Sequence, residues 1–261
     1  MGIRALLFDS GGTLVRPTAG SWLPGPHFES FAAGHGVGAE ADPRAWAAAL
    51  HAGNAVLASE PVVPTVADEV ALFSQYFLIV GASLGLPTDP AAAGRLADET
   101  VFGDGHEACY DGVPQMLQVL GDQGFRLLLL ANGWPSLSRR YRALGLRDHF
   151  DFFVTSTQLG SKKPNPRAFR LVAEITNVEP ADLLVVDDLA ANILVAGQLG
   201  MPGLLVTHNG PPSTPNLEWT DGVAGLPGWM ERSGIREPRA TRLRRPGVPH
   251  GRTTTGIATV R

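Results

Sequence analysis

The chain has 261 residues, of which 44% are hydrophobic and 18% are charged, and its formal net charge is -4. This composition is typical of a globular protein that is long enough to bury a complete hydrophobic core. Cys109 is the only cysteine, so no disulfide can form within the chain, and we expect a reducing, cytoplasmic compartment. The longest apolar stretch, residues 72–86, contains Ser74 and Gln75 and is too short to span a bilayer, so no membrane association is expected.

Positive charge is concentrated at the C-terminal end of the chain. Residues 231–261 contain eight arginines and two glutamates, so the rest of the chain is strongly acidic. This segment is rich in Pro, Gly and Thr and has no apolar periodicity, which predicts a disordered tail. A basic tail is able to bind nucleic acid or an acidic partner, but the acidic remainder offers nucleic acid no docking face. We therefore expect no nucleic-acid partner.

The first predicted element is a buried strand over residues 3–9 that ends on the carboxylate of Asp9. It runs directly into a glycine turn made of Ser10, Gly11, Gly12 and Thr13. In a parallel sheet, ligands bind at the carboxyl ends of the strands. A carboxylate there is able to act as a nucleophile or as a metal ligand, and the glycines let a substrate approach the backbone closely.

The next segment, residues 16–110, carries helical signals and no convincing strand. Three helices are predicted in it, over residues 43–59, over residues 66–83 and from residue 90 onward. The second begins with a capping-box pattern, in which Thr65 precedes Asp68 by three residues. Because the segment follows the first strand, we expect it to form a lid over the carboxyl ends of the strands.

Four further apolar runs are predicted to be strands, over residues 126–132, 152–157, 182–188 and 203–208. Helical signals lie between them, over residues 135–144, from Asn165-Pro166 onward and over residues 190–199. This alternation favours a doubly wound parallel sheet in an α/β fold. We therefore expect an α/β core from residues 1–15 and 111–230, a helical cap from residues 16–110 and a basic tail from residues 231–261.

Four motifs in this order resemble those of the haloacid-dehalogenase-like hydrolases. They are Asp9-Ser10-Gly11-Gly12-Thr13, Leu130-Ala131-Asn132-Gly133, Ser161-Lys162-Lys163-Pro164-Asn165-Pro166, and Val185-Val186-Asp187-Asp188 followed by Asn192. They are similar to the family's Asp-x-Asp-Gly-Thr, Ser/Thr-Asn-Gly and Lys-Pro-Asp-Pro motifs and to its acidic motif. The helical insertion matches the subfamily with an α-helical cap. One such motif is a weak signal, but four in order are a strong one.

The resemblance implies a magnesium-dependent hydrolase that acts on a small phosphorylated or acidic metabolite through a phosphoenzyme. Asp9 would attack the phosphoryl group, and Lys163 would neutralise the nucleophile and the phosphoryl oxygens. Mg²⁺ would be held by Asp9, the backbone carbonyl of Gly11, Asp188 and Asp187. The phosphate- and substrate-binding residues would be Ser10, Thr13, Asn132, Gly133 and Trp134.

Two positions depart from the family's pattern. Gly11 stands where most phosphatases of the family carry a second Asp, the general acid that protonates the leaving oxygen. Ala131 stands in place of a phosphate-binding hydroxyl. A general acid contributes roughly 10²–10⁴ in rate, so we expect a preference for aryl or acyl phosphates, whose leaving groups need no proton. His27 or His106 would be the alternative source of that proton.

Two other functions are compatible with the motifs. A 2-haloacid dehalogenase also lacks the second Asp, carries a bulky aromatic residue there and needs no Mg²⁺, and its halide-binding arginine would be Arg16 or Arg44. A catalytically degenerate member would bind a ligand or partner without turnover. Phosphonate hydrolysis through a cap lysine is disfavoured, because residues 16–110 contain no lysine. Candidate specificity residues near the lid are Trp22, His27, His51, Tyr76, His106, Tyr110 and Trp134, and the sequence does not determine the oligomeric state.

Overall fold

The computed structural model describes residues 2–18, 20–40, 42–59, 62–214 and 216–238. These residues form eight strands, namely β1 (Ala5–Phe8), β2 (Val15–Pro17), β3 (Glu107–Cys109), β4 (Arg126–Ala131), β5 (Phe152–Thr155), β6 (Leu183–Asp187), β7 (Gly203–Thr207) and β8 (Trp219–Asp221). Six of them make one parallel sheet in the order β5-β4-β1-β6-β7-β8, and β2 pairs antiparallel with β3. In the register of the central strands, Ala5 lies opposite Arg126 on one side and Leu183 on the other.

Ten α-helices lie within the same described ranges. They are α1 (Pro26–Gly34), α2 (Pro43–Ser59), α3 (Val66–Ser83), α4 (Pro90–Phe102), α5 (Val113–Asp122), α6 (Leu137–Ala143), α7 (Ser156–Leu159), α8 (Pro166–Thr176), α9 (Ala190–Gln198) and α10 (Leu226–Arg232). Helix α8 begins at its predicted cap, where the Asn165 side chain accepts a hydrogen bond from the N–H of Arg167 at 2.9 Å.

The parallel sheet is covered by helices on both faces. Leu6 and Phe8 of β1 belong to a buried cluster that includes residues of α5, α6 and α10. Ala5 and Leu7 belong to a second buried cluster, with residues of α8 and α9. Successive side chains of a strand point to opposite faces, so a continuous apolar run is buried on both sides. This arrangement confirms the predicted doubly wound α/β fold.

The five predicted strands form, and three short strands were not predicted. Strand β8 extends one edge of the sheet, while β2 and β3 lie at the two ends of the segment that was expected to contain no strand. That expectation is wrong at both ends of the segment. Each of these strands has only three residues, and β2 pairs with β3 across the whole helical segment between them. A local sequence pattern carries no signal for such a pairing.

The segment between β2 and β3 forms helices α1–α4, which we name the helical insertion. The three predicted helices are present as α2, α3 and α4, and α1 is additional. Their shared core is aromatic and contains the buried side chains of Phe28, Trp46, Phe73, Tyr76 and Phe77. The helical insertion therefore has a hydrophobic core of its own, separate from the two clusters that cover the sheet.

Helix α3 begins with the predicted capping box. The Thr65 hydroxyl accepts from the N–H of Asp68, and the Asp68 carboxylate accepts from the N–H of Thr65, each at 3.2 Å. By length and composition alone, α3 is the one helix of the described residues that could cross a membrane. It packs between α2 and α4 with seven buried residues, which is also the pattern of a core helix in a globular protein.

Part of the segment that was expected to be a disordered tail is ordered. Helix α10 continues to Arg232, and Ile235 packs against the cluster on one face of the sheet. Residues 239–261, which hold most of the arginines of the tail, lie outside the described residues.

A matched pair of glycine substitutions tests the close packing of α2 on α3. A Cβ at Gly53 of α2 would lie 2.6 Å from the Tyr76 ring and 2.5 Å from a methyl group of Val80. We expect Gly53→Ala to destabilise the protein by about 1–3 kcal/mol through overpacking. Gly94→Ala in α4 places its methyl group in open space and should stabilise the protein by about 0.5–1 kcal/mol. Urea unfolding measures both effects, and equal stabilities of the two variants would contradict this packing.

Candidate active site

The ends of three strands and one loop bring the predicted site residues together. Asp9 follows β1, Asn132 follows β4, Asp187 ends β6, and Lys163 lies in the loop between α7 and α8. Because β1 lies between β4 and β6, their carboxyl ends are adjacent at the same end of the sheet. The Lys163 ammonium group donates to Asp9 Oδ1 and to Asp187 Oδ2, each at 2.6 Å. We name this arrangement the lysine bridge.

Burial and charge together determine the protonation of the lysine bridge. The side chain of Lys163 is 2% exposed and that of Asp187 is fully buried. Burial raises the pKa of Asp9, and the positive charge of Lys163 offsets part of that rise. Burial acts to lower the pKa of Lys163, but the charges of Asp9 and Asp187 outweigh it, and the net effect is a raised pKa. Lys163 therefore stays protonated at neutral pH beside the candidate nucleophile.

Asp187 is the member of the lysine bridge that orients the ammonium group. Its Oδ1 accepts from the N–H of Leu189 at 2.9 Å and from the side-chain amide of Asn192 at 2.8 Å. Its Oδ2 accepts from Lys163. The contacts of Asp187 thus fix the position of the ammonium group, and direct binding of a metal ion by this carboxylate stays a prediction.

Asn132 was expected to bind phosphate directly, but in the structure its side chain contacts the backbone of Lys163. Its Oδ1 accepts from the N–H of Lys163, and its Nδ2 donates to the carbonyl of Lys163, both at 2.8 Å. Both ends of the amide therefore hold the Lys163 backbone. One hydrogen on Nδ2 is left for a substrate, so the predicted contact with phosphate stays a prediction.

Three carboxylates beside the ammonium group provide a donor set for a divalent cation. Oxygens of Asp9, Asp187 and Asp188 lie within 4.8 Å of one another. Burial, followed by the charges of Asp9 and Asp187, raises the pKa of Asp188 to about 7. Among the described residues, the ammonium group of Lys163 pairs with two of these carboxylates, Asp9 and Asp187, and a cation would relieve the repulsion that remains among the three. Carboxylate oxygens are hard ligands of the type that Mg²⁺ binds, and the residues present therefore fit such an ion.

The glycine turn after β1 makes room for Asp188. Gly12 has a φ of +82°, and a Cβ at this position would overlap the Asp188 carboxylate. Only glycine readily combines that backbone conformation with so close an approach. The N–H of Gly12 donates to the carbonyl of Val15 at 2.9 Å and closes the turn. The glycines were expected to let a substrate approach the backbone closely. At Gly12, the group that approaches the backbone is the carboxylate of Asp188.

The candidate site opens into a cavity of about 270 Å³. Eight of the ten predicted site residues line it, namely Asp9, Ser10, Gly11, Asn132, Gly133, Trp134, Lys163 and Asp188. The other two are Asp187, described above, and Thr13, which is fully buried. The Thr13 hydroxyl has no hydrogen-bond partner among the described residues. Ser10 accepts a hydrogen bond at 2.7 Å from the buried hydroxyl of Tyr141, a contact that the sequence did not predict.

The other residues that line the cavity were mostly missed by sequence reasoning. They are Trp22, Leu23, Phe73, Thr100, Glu107, Leu137, Arg140, Leu189 and Asn192, of which Trp22 was a candidate specificity residue and Asn192 was part of the fourth motif. Arg140 of α6 donates to Glu107 of β3 at 2.6 Å and to the hydroxyl of Ser136 at 2.9 Å. Arg140 and Glu107 belong to none of the four sequence motifs. The helix and the strand that contain them are separate in the sequence and come into contact only in the folded chain.

A buried carboxylate on α3 ties the helical insertion to the sheet domain. Glu69 is fully buried and accepts from the N–H of Ser136 at 2.7 Å and from its hydroxyl at 2.5 Å. Burial raises the pKa of Glu69, and the hydrogen bonds from Ser136 offset part of that rise. These contacts hold α3 against the segment that follows β4.

Position 11, which lacks the family's second Asp, is covered by an aromatic ring. A Cβ on Gly11 would lie 3.0 Å from the indole ring of Trp22. Trp22 follows β2 and is 45% exposed. A side chain at position 11 would therefore press against the ring of Trp22, which lies eleven residues further along the chain.

The other candidate specificity residues do not line this cavity. His27 and His106 pack edge to face with ring centroids 5.2 Å apart and line a smaller neighbouring pocket, and neither lines the cavity as the expected proton donor. Tyr76 is buried in the helical insertion, and Tyr110 stacks on His208 at 3.9 Å. Three further candidates have exposed side chains and do not line the cavity, namely Arg16, Arg44 and His51.

Comparison with known proteins identifies the family. A family model described as haloacid dehalogenase-like hydrolase matches residues 3–200. The chain therefore belongs to this family, as its four motifs indicated.

The curated relatives match only part of the chain. Bifunctional epoxide hydrolase 2 of Sus scrofa is 33% identical over 97 residues, which are 35% of this chain and 18% of that protein. Phosphoglycolate phosphatase of Aquifex aeolicus is 33% identical over 92 residues, which are 35% of this chain and 43% of that protein. The chain thus spans less than half the length of these relatives. A solved 2-haloacid dehalogenase from Pseudomonas syringae has a TM-score of 0.62 at 21% identity and covers 88% of this chain and 99% of its own, which is a likeness of fold.

The two lysines of the chain allow a controlled test of the lysine bridge. Lys163→Met would leave two buried carboxylates without their positively charged partner and should destabilise the protein by about 3–5 kcal/mol. Lys162→Met alters the adjacent, exposed lysine and should change stability by less than about 0.5 kcal/mol. Urea unfolding at neutral pH without added metal measures both. Similar losses in the two variants would be inconsistent with a buried bridge.

Proposed function

We propose that this chain is a magnesium-dependent phosphatase that acts on small phosphorylated metabolites through a phosphoenzyme at Asp9. The lysine bridge is the observation that supports it most directly, with Asp188 beside it. A carboxylate attacks a negatively charged phosphoryl group only where positive charge offsets the repulsion, and Lys163 supplies part of that charge. A phosphatase among the relatives is consistent with this reaction.

In the proposed reaction, Asp9 attacks phosphorus while the bond to the leaving oxygen breaks, which yields an aspartyl-phosphate and the free leaving group. Because Oδ1 accepts from Lys163, we assign the attack to Oδ2. Water then attacks the same phosphorus, releases inorganic phosphate and restores the carboxylate. The N–H of Gly133 and the remaining Nδ2 hydrogen of Asn132 would bind the phosphoryl oxygens.

The metal ion would bind at the carboxylate cluster. Asp9, Asp188 and the carbonyl of Gly11 would hold it, with Asp187 behind them. Mg²⁺, when bound, would neutralise charge on the phosphoryl oxygens and among the carboxylates. The pKa of Asp188 is raised first by burial and then by the negative charges of Asp9 and Asp187, and that second contribution supports this assignment, because a cation would offset those charges.

We further propose that residues 16–110 act as a cap over a core made of residues 1–15 and 111–230. Five residues of this segment line the cavity that contains Asp9, namely Trp22, Leu23, Phe73, Thr100 and Glu107. A cap of this kind excludes water and selects substrates. We also infer a cytoplasmic location, which is in keeping with a single cysteine.

The leaving group should determine the rate, because no carboxylic acid stands at position 11. We expect p-nitrophenyl phosphate and acetyl phosphate to be hydrolysed at least about 10²-fold faster than ethyl phosphate, whose leaving oxygen needs a proton. Phosphate release by the purified protein with Mg²⁺ measures the three rates. Asp9→Asn should abolish all of them, and Asp98→Asn, at an exposed site on α4, should leave them unchanged. Equal rates for the three compounds would show that another group donates the proton, and no hydrolysis of any would refute the phosphatase proposal.

Metal binding should depend on pH through Asp188. The pKa of this carboxyl group is raised in the folded state, so the stability that it contributes is present at low pH and is lost as pH rises through about 7. A divalent cation binds the ionised form and would compensate for that loss. Millimolar Mg²⁺ should therefore raise the melting temperature more at about pH 8 than at about pH 5.5. Thermal melts at both pH values test this, and Asp188→Asn should remove the difference.

Two observations favour 2-haloacid dehalogenation as a second candidate. First, the ring of Trp22 lies against Gly11, the position at which 2-haloacid dehalogenases carry a bulky aromatic residue. Second, Arg140 lines the cavity, and a dehalogenase needs an arginine to bind the halide. Chloride release from 2-chloropropionate in the presence of a metal chelator would support this reaction. Hydrolysis of phosphates that requires Mg²⁺, without chloride release, would exclude it.

A further inference from the structure

We propose that Trp22, Phe73 and Trp134 form a pocket for a planar aromatic leaving group, so that aryl phosphates are the substrate class of this enzyme. The proposal rests on the phosphatase function argued above. We name the three side chains the aromatic pocket. All three line the cavity that contains Asp9. They come from three separate places in the chain: the segment after β2, helix α3 and the loop after β4.

Trp22 is the member of the aromatic pocket that lies beside the reaction centre. Its ring is 3.0 Å from the position of a Cβ on Gly11, and Gly11 is two residues from Asp9. An indole thus fills the place that an acidic side chain would take. Because Trp22 is 45% exposed, part of the ring is free to contact a ligand. A group attached to a phosphoryl moiety at Asp9 would meet an aromatic surface there.

Phe73 and Trp134 provide a second aromatic surface with a fixed orientation. Their rings pack edge to face, with centroids 5.3 Å apart and an interplanar angle of 67°. Phe73 is buried in the core of the helical insertion, which restrains both rings. Aromatic groups that are already held in place bind a planar ligand with little loss of side-chain entropy.

The chemistry at Asp9 favours the same class of leaving group. Without a carboxylic acid at position 11, the leaving oxygen departs as an anion, and an aryl oxide does so more readily than an alkyl oxide. Two further charged groups that line the cavity, Arg140 and Glu107, are paired with each other at 2.6 Å, and Arg140 also lies 3.9 Å from the carboxylate of Glu69. Arg140 is therefore already engaged by two carboxylates, and the aromatic rings offer the leaving group an uncharged surface beside them.

Binding of two non-hydrolysable phosphonates tests the aromatic pocket without any need for turnover. We expect phenylphosphonate to bind the full-length protein, in millimolar Mg²⁺, at least about tenfold more tightly than methylphosphonate. Trp22→Ala should bring the two affinities together without weakening methylphosphonate binding, and Trp22→Phe should keep most of the difference. Trp219→Phe, on β8 at the edge of the sheet, is the control and should change neither affinity. Isothermal titration calorimetry measures all eight affinities.

A double substitution tests whether Trp22 occupies the place of the missing acid. Gly11→Asp alone should not raise ethyl phosphate hydrolysis, because its side chain meets the indole. Gly11→Asp combined with Trp22→Ala frees that space and should raise the rate by about 10²-fold, the lower end of the contribution of a general acid. A comparable gain in the single variant would overturn the assignment of Trp22. Melting temperatures of both variants check that each is folded.

The possible outcomes separate this proposal from the function on which it rests. Hydrolysis of acetyl phosphate together with equal affinities for the two phosphonates would overturn the aromatic pocket and keep the phosphatase. A preference for phenylphosphonate that Trp22→Ala removes, with no phosphate hydrolysed, would support the aromatic pocket as a binding site and refute both the phosphatase and the assignment of aryl phosphates as its substrates. Absence of phenylphosphonate binding would also overturn the aromatic pocket.

Discussion

The arrangement of the site depends on one buried contact, the ammonium group of Lys163 between Asp9 and Asp187. Removing three charges from water is costly, and only close mutual contact together with further hydrogen bonds offsets that cost. The parallel sheet brings the two carboxylates to adjacent strand ends, and Asn132 holds the Lys163 backbone by both ends of its amide. A contact of this kind adds little net stability, but it gives a carboxylate a fixed position and a fixed positive neighbour.

Two adjacent glycines allow two different side chains to approach the nucleophile. Gly12 leaves room for the carboxylate of Asp188, and Gly11 leaves room for the ring of Trp22. The first contact completes a cluster of oxygen ligands, and the second puts an apolar surface where the family's phosphatases carry an acid. The absence of an acidic side chain at position 11 and the presence of the indole beside it therefore go together, because Trp22 packs where residue 11 has no side chain.

The position of the helical insertion over the sheet is specified by polar contacts. Glu69 of α3 is bonded to Ser136, and Arg140 of α6 is bonded to Glu107 of β3, which leads out of the insertion. Hydrogen bonds are directional, and leaving one of these buried groups without a partner would be costly, so the contacts define a particular docking position. The ring of Phe73, four residues from Glu69 on the same helix, is thereby placed in the cavity wall.

Much of the fold and the inner part of the site could be predicted from the sequence. Buried parallel strands appear as continuous apolar runs, so the strands that carry Asp9, Asn132 and Asp187 were identified, and strand ends meet at one end of any such sheet. The four motifs indicated the family, which the family model confirms.

Only the tertiary structure decided the neighbours of these residues: the ring of Trp22 on Gly11, the pairing of Arg140 with Glu107, and the use of Asn132 to hold a backbone. The physical reason is that strands, helices and caps follow from local periodicity and side-chain chemistry. Contacts between the insertion and the sheet join residues far apart in the chain, and no local pattern records which side chains will meet.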